Sequence, residues 1–316
     1  MNNGSQTIVT EFILIGLSHD LQTQRLFFVS CLFMYTLTIC GNIILTCVII
    51  TSPHLHTPMY YFLCNLSFLD LFYSTSTVPK MLQDLLSARG GRISHTGCMV
   101  ASVFLGQTEC ILLAVMAYDR YIAICFPLRY MVIMSWKKCK VITITVWTVS
   151  LLNATVPVII KPFTFCNKIN VDHYFCEAIA LAKLTCRDTF FYETTILFSS
   201  LFCILSPFVF ILLSYICIIR AVLKIHSVTG RKKAFSTCSS HLTVVFMFYG
   251  TSMAIYLGPS KNHSENIKFI SILYMVVTPM INPMIYSLRN NDVKRALRKI
   301  LTKSEKRNRI PHNRAA

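Results

Sequence analysis

Two carboxylates stand alone in otherwise uncharged stretches: Pro58 to Pro79 carries only Asp70, and Gly97 to Tyr118 carries only Glu109. A carboxylate so isolated costs about 2.5–3.5 kcal/mol at the centre of a bilayer, so it usually faces a protein interior and marks function. Together the two could share a cation or a proton; hydrogen bonding with Asn42 and Asn282 is the structural alternative. A second group, Asp119-Arg120-Tyr121 within MAYDRYIAIC, is a locally neutral pair that a moving neighbour could hold or release. Its plainer reading is an anchor that snorkels to the headgroups. A third, Asn282-Pro283-Met284-Ile285-Tyr286, joins a proline that removes a helical backbone bond to an amide and a phenol able to re-pair as the kink shifts. An ordinary membrane proline kink is the plainer reading here too. No nucleophile, base and metal set converges, and there is neither a CxxC pair nor a His/Cys cluster of zinc spacing. An enzyme is not expected.

The elements that must position these groups are membrane helices. Of 316 residues, 54% are hydrophobic and 14% charged, against roughly 25% charged in a soluble domain. A hydrocarbon core needs roughly 20 apolar residues of helix to cross it, and seven stretches qualify, at about 26–51, 58–82, 97–120, 140–160, 194–220, 237–260 and 269–288. They are continuously apolar and lack the short alternating segments of a barrel. The expected fold is therefore an all-α membrane protein, a seven-transmembrane helix bundle.

Orientation follows from the basic residues. With residues 1–25 as an extracellular N-terminal tail, segments 52–57, 119–140, 220–241 and 289–316 are cytoplasmic and hold 20 of the 30 Lys and Arg. The net charge of +17 thus reads as topology facing anionic lipid, not as nucleic-acid binding. No cleavable signal is evident in the first 25 residues, so the first span should act as a signal-anchor in a multi-pass plasma-membrane protein. Asn3-Gly4-Ser5 is a glycosylation acceptor on the outer tail. Asn262-His263-Ser264 hugs the membrane, and Asn65 and Asn153 head acceptor sequences inside spans that should not be used. Ten of the fourteen cysteines fall in spans or cytoplasmic segments, where reduced thiols are expected. Cys98, Cys166, Cys176 and Cys186 fall outside, and spacing leaves three pairings open.

The motifs of the third and seventh spans resemble those of rhodopsin-like (class A) G-protein-coupled receptors, and the match narrows to the olfactory, or odorant, receptors. LHTPMYYFLCNLSFLDL (Leu55 to Leu71) resembles their first inner loop and second span, and MAYDRYIAICFPLRY (Met116 to Tyr130) their third-span signature. SYICII (Ser214 to Ile219), KAFSTCSSHLTVV (Lys233 to Val245) and PMINPMIYSLRN (Pro279 to Asn290) resemble their fifth, sixth and seventh spans. The resemblance covers essentially the whole chain. It implies that Asp119 holds Arg120 at rest, that Tyr215 and Tyr286 rearrange around it, and that Tyr121, Asn282 and Pro283 belong to the same G-protein switch. Lys232, Lys233 and His241 would line the cytoplasmic end of the sixth span, where a G protein docks. Asn42, Asp70, Glu109 and Asn282 would form one interior network, with Asp70 and Glu109 as a sodium site. The disulfides implied are Cys98–Cys176 and Cys166–Cys186.

The resemblance also implies a ligand pocket between the outer halves of spans three, five and six, lined by Ser102, Val103, Gly106, Gln107, Ser199, Ser200, Cys203, Tyr249, Ser252, Ile255 and Tyr256. Apolar walls with a few hydroxyls and one amide suit a small, weakly polar odorant. No carboxylate is present to grip an amine, and no Lys between Phe269 and Leu288 could carry retinal. The partners implied are that odorant and a stimulatory G protein that raises cyclic AMP. One departure stands out. Cys98 lies 22 residues before Arg120, about three fewer than the family pattern, which removes roughly 4.5 Å of rise and about 60° of register. That predicts either a strained outer disulfide or a remodelled outer helix end.

Two rival classes are a non-olfactory receptor of the same superfamily, which the motifs at 55–71 and 233–245 disfavour, and an ion or solute transporter. The transporter rests on Asp70 and Glu109 alone and lacks the internal repeats common in that class. In the cytoplasmic basic tail (289–316), Val293, Ala296, Leu297, Ile300 and Leu301 form the lipid-facing stripe of a short amphipathic helix, and the polar chain beyond Thr302 reads as disordered. No cysteine follows Cys238 to carry a lipid anchor. If the N-terminal tail lies outside, Asn3→Gln removes the glycosidase-sensitive mobility shift of the expressed protein on a gel; an unchanged shift would place the glycan elsewhere.

Overall fold

A bilayer inverts the usual surface rule, and the computed structural model shows that inversion along its helices. It describes residues 11–14, 21–86, 91–160, 170–171, 173–174, 181, 184, 194, 197–257 and 264–309. Asn3, Cys166, Cys176 and Cys186, with the side chains of Cys98 and Lys233, lie outside the described set. Leu26, Phe33, Ile159 and Phe202 point outward, each more than 60% exposed, while Asn42, Asp70, Thr108, Ser150, His241 and Ser271 are wholly or almost wholly enclosed. Large apolar side chains outside and polar ones inside suit lipid as the surrounding solvent.

Among the described residues, six helices are long and apolar enough to cross a membrane: Leu21–Thr51, Val100–Cys125, Trp136–Ile159, Leu197–Leu223, Val228–Tyr256 and Ile267–Ser287. The second span, Pro58–Leu86, is equally long but more polar, because it carries Asp70, a Lys80–Asp84 ion pair of 2.7 Å and several hydroxyls. The helices run past the apolar windows into the flanking polar zones. The third is unbroken from His95 to Cys125, so its outer half is regular helix, not the remodelled end that a short register allowed. The sixth begins at Val228, where Ser227 caps it by accepting from the Gly230 amide at 3.2 Å. Span hydroxyls such as Thr36, Thr38 and Thr51 are satisfied by the carbonyl one turn back. The third span packs against the second, fourth, fifth and sixth, and the first against the second and seventh.

Sequence patterning missed a small sheet. Glu11–Leu14 pairs antiparallel with Gly91–Ser94 and parallel with Asn170–Val171, giving the order β2-β1-β3 for strands numbered along the chain. It ties the N-terminal segment to the outer end of the third span. Strands of two to four residues carry too little alternation to be read from a sequence.

Prolines shape two spans. Pro207 and Pro279 each follow a π-helical turn, Leu201–Leu205 and Leu273–Val277, where a wider turn relieves the clash of the ring with the preceding turn. Pro283 has no N–H, so the Pro279 carbonyl lacks its helical donor. Asn42, from the first span, supplies one: its Nδ2 donates to the Pro279 carbonyl at 3.1 Å and to the Thr38 carbonyl at 3.0 Å. Asn42 therefore satisfies the carbonyl that Pro283 leaves free instead of joining Asp70 and Glu109 in one network.

The tail forms helix Asn291–Arg309, capped by Asn290, whose Oδ1 accepts from the Asp292 amide at 2.9 Å. Helix continues to Arg309, well past the expected limit at Thr302. Val293 and Ala296 are each 2% exposed and pack into the bundle core, not against lipid; Ile300 and Leu301 keep the outward position. The bundle draws in the first turns because the tail leaves the seventh span almost without a linker.

The first and seventh spans approach closely at Gly41, where an added Cβ would lie 3.0 Å from Pro283 Cγ. Gly41→Val is expected to destabilise the protein by about 1–3 kcal/mol through overpacking, read as a lower unfolding temperature of the purified protein. Gly250, with open space around it, serves as the contrast, since Gly250→Ala should be neutral or stabilising by up to about 1 kcal/mol. Equal effects of the two would remove this reading of the first–seventh contact.

Candidate functional site

Two cavities lie at opposite ends of the third span. The outer one, about 160 Å³, is enclosed by the third, fourth, fifth, sixth and seventh spans. Ser102, Val103, Gly106 and Gln107 line it one helical turn apart, Ser199, Ser200 and Cys203 face them from the fifth span, and Ser252 and Tyr256 close it from the sixth. Tyr249 and Ile255 do not reach it. Both are buried; the Tyr249 hydroxyl donates to the Cys110 carbonyl at 2.8 Å, and its ring packs on Phe208.

The structure adds walls that the pocket reading left out. Asn153, Ala154, Pro157 and Val158 come from the fourth span and Tyr274 from the seventh. Asn153 Nδ2 donates to Gln107 Oε1 at 2.7 Å and contacts Cys203 Sγ at 3.5 Å, tying three spans together at the cavity wall. The signal for Asn153 was present, since a lone amide within an apolar span usually faces the interior, but it was read only as an unused glycosylation sequence. Tyr274 and Cys203 sit in the two π-helical turns, which project them differently from a regular helix, so counting at 3.6 residues per turn could not place Tyr274. Tyr274 is wedged between Tyr73 and Phe248, and its hydroxyl lies 2.8 Å from where a Cβ on Gly106 would be. That close approach is why position 106 suits glycine.

Between the cavities lie the isolated carboxylates. Asn282 Nδ2 donates to both Asp70 oxygens, at 3.2 and 3.1 Å. Glu109 is buried and its Oε1 has no partner, yet it is close enough for its charge to act on Asp70. Ser74, one turn beyond Asp70, is also buried with an unpaired hydroxyl. Two enclosed carboxylates, Glu109 with an unpaired oxygen, and the unpaired Ser74 hydroxyl fit a small monovalent cation. No cluster of three or more His, Cys, Asp or Glu exists among the described residues, so a transition-metal centre does not suit them.

At the C-terminal end of the third span, the expected Asp119–Arg120 pair is not formed. Asp119 Oδ1 instead accepts from the Tyr130 hydroxyl at 2.8 Å. Burial, and then the Asp119 charge, push the Tyr130 hydroxyl above the usual phenol range, so it stays a donor. Arg120, 4% exposed, reaches across to the sixth span, where its Nη1 donates to the Thr237 carbonyl at 2.8 Å. Tyr130 wins Asp119 because the turn Pro127–Arg129 returns the chain to the end of the third span, a return that local sequence does not reveal. Tyr121 packs by its ring on Tyr118 and Phe126.

His241 is fully buried between Tyr215 and the third span. Its Nε2 lies 3.2 Å from the Leu113 carbonyl, which can only accept, so Nε2 carries the proton. In the neutral ring Nδ1 then accepts from the Tyr215 hydroxyl at 2.9 Å. Tyr286 is buried with its hydroxyl unpaired. It lines the inner cavity, about 540 Å³, with Arg120, Lys232 and Thr237. His241 stands deeper in the bundle than Lys232 and joins spans instead of lining that cavity.

Comparison with known proteins decides the family. The olfactory receptor family profile matches residues 31–304. The chain belongs to the olfactory receptor family. It is 44% identical over 302 residues to olfactory receptor 2A7 of Mus musculus, covering 94% of this chain and 97% of that protein. It is 45% identical over 303 residues to olfactory receptor 13F1 of Homo sapiens, covering 94% and 95%, and 46% identical over 306 residues to olfactory receptor-like protein OLF3 of Canis lupus familiaris, covering 95% and 96%. The chain is therefore a multi-pass, non-catalytic class A receptor that binds odorants and acts through a G protein.

Gly106→Val should displace Tyr274 and shrink the outer cavity of this olfactory receptor. The concentration of an activating odorant needed for half-maximal response is expected to rise about tenfold or more, the effect of losing roughly 1.4 kcal/mol, with surface protein unchanged. An unaltered response would mean that odorants do not use this cavity.

Proposed function

We propose that this receptor takes a small, weakly polar odorant into the outer cavity, with its N-terminus outside the plasma membrane, and raises cyclic AMP through a stimulatory G protein. The observation that carries the reading is the cavity itself, whose apolar residues are interspersed with the paired amides of Gln107 and Asn153 and several hydroxyls. Its size suits a volatile molecule, and its hydroxyls and amides offer one or two hydrogen bonds. Odorant shifts the receptor only as far as it binds the open state better than the closed one.

The closed state is the one in which Arg120 donates to the Thr237 carbonyl. Activation moves the cytoplasmic end of the sixth span from the third, releases that bond and exposes Arg120, Lys232 and Lys233 to the G protein. Tyr215 and Tyr286 re-pair as this happens, with Asn282 and Pro283 as the seventh-span hinge. Asp70 and Glu109, with the Ser74 hydroxyl, hold a sodium ion that favours the closed state. Cys98–Cys176 and Cys166–Cys186 secure the outer surface, and Asn3 carries a glycan.

The test is cyclic AMP in cells that express the receptor with the stimulatory olfactory G protein, screened against an odorant panel with surface protein quantified. An odorant-dependent rise that Arg120→Ala abolishes, at equal surface density, is the expected result. A full response from that variant would overturn the assignment of Arg120.

A further inference from the structure

Arg120 presents a charge problem. Its guanidinium is buried, makes one hydrogen bond to a neutral carbonyl and leaves Nε without a partner. The neighbouring carboxylate, Asp119, is engaged by Tyr130, and no described acid lies within ion-pair distance of Arg120. A buried cation left without a counter-charge is costly. The same inner cavity is lined by two further cations, Lys232 from the sixth span and Arg295 from the tail helix, against one carboxylate, Asp292. The Tyr286 hydroxyl, on a side chain 4% exposed and without a partner, lines the same space.

We propose that this cavity is a binding site for a phosphate-bearing anion. Three cations from three elements surround one volume of about 540 Å³, ample for a phosphate group. Guanidinium forks match phosphate oxygens bidentately, and the Tyr286 hydroxyl donates a further bond. The anion supplies Arg120 with the counter-charge that Asp119 withholds. Because it joins the third and sixth spans to the tail helix, it opposes their separation and acts as a brake on the receptor, a consequence that rests on the closed-state reading above. The phosphate can come from solution or from an inner-leaflet lipid headgroup, since the basic tail lies along that surface.

The test uses the purified full-length receptor in phosphatidylcholine nanodiscs, with thermal unfolding as the readout and no G protein present. One arm titrates inorganic phosphate against chloride at constant ionic strength. The other compares nanodiscs containing phosphatidylinositol 4-phosphate with discs of equal charge made with phosphatidylserine. Saturable stabilisation is expected in at least one arm, and the arm that responds identifies the source. Arg295→Gln, at an exposed position, should weaken it about tenfold, the size of one charge-assisted contact, and Tyr286→Phe by a smaller factor. Absence of stabilisation in both arms, equal stabilisation by phosphatidylserine, or an Arg295→Gln protein that responds like the parent would each overturn the site.

Discussion

Three hydrogen bonds from side chains to main-chain carbonyls join the third and sixth spans at successive depths, and the receptor is organised around them. Tyr249 donates to the Cys110 carbonyl at 2.8 Å, His241 Nε2 to the Leu113 carbonyl at 3.2 Å, and Arg120 Nη1 to the Thr237 carbonyl at 2.8 Å. A carbonyl has two lone pairs, so each of these bonds is added without removing a helical one. The uppermost sits under the outer cavity, since Cys110 also lines that cavity. The lowest closes the inner one. A ligand and a G protein at opposite faces can thus bias the same pair of helices, which coupling between distant sites physically requires.

Lipid sets the remaining constraints. Irregular backbone at membrane depth survives only where protein covers it, and in this receptor it occurs where the chain has a use for it. The π-helical turns before Pro207 and Pro279 carry Cys203 and Tyr274 into the outer cavity. Pro283 leaves the Pro279 carbonyl without a helical donor, which Asn42 supplies from another helix, and Gly41, one residue earlier, lets the two helices approach closely enough for it to do so. Pro157 acts at the cavity wall itself, since its missing N–H leaves the Asn153 carbonyl without a helical donor.

Apolar windows and basic loops made the helices and their order legible, because lipid imposes a strong one-dimensional rule on composition. Helical spacing also placed Ser102 to Gln107 on one face of the third span. What escaped were contacts that depend on where a chain returns in space. Tyr130 and Asp119 are 11 residues apart across a turn, and the reading that paired Asp119 with Arg120 could not see the competitor. Asn42 seemed a partner for carboxylates until the geometry of Pro283 showed a nearer need. Tyr249 and Ile255 are buried away from the pocket, because Tyr249 turns to the Cys110 carbonyl and packs on Phe208, contacts made across helices. Asn153 heads a glycosylation pattern, but its polarity at that depth is the more telling property.

The size of the outer cavity limits how firmly the inner lock can be held. An odorant of roughly ten non-hydrogen atoms gains at most about 0.3–1.5 kcal/mol per atom, and only the difference between its affinities for the two states does work. Moving a population from mostly closed to mostly open takes about 5.5 kcal/mol. The lower two cross-links match that scale: about 0.5–1.5 kcal/mol for a neutral bond such as that of His241, and about 1.5–3 kcal/mol for the charged one of Arg120. An Asp119–Arg120 pair confined within the third span would leave the sixth span unlatched, whereas the bond to Thr237 joins the two spans whose separation we propose for activation. In that proposal, directing Asp119 to Tyr130 has a mechanical consequence, since it frees the guanidinium to serve as a latch weak enough for a small molecule to release.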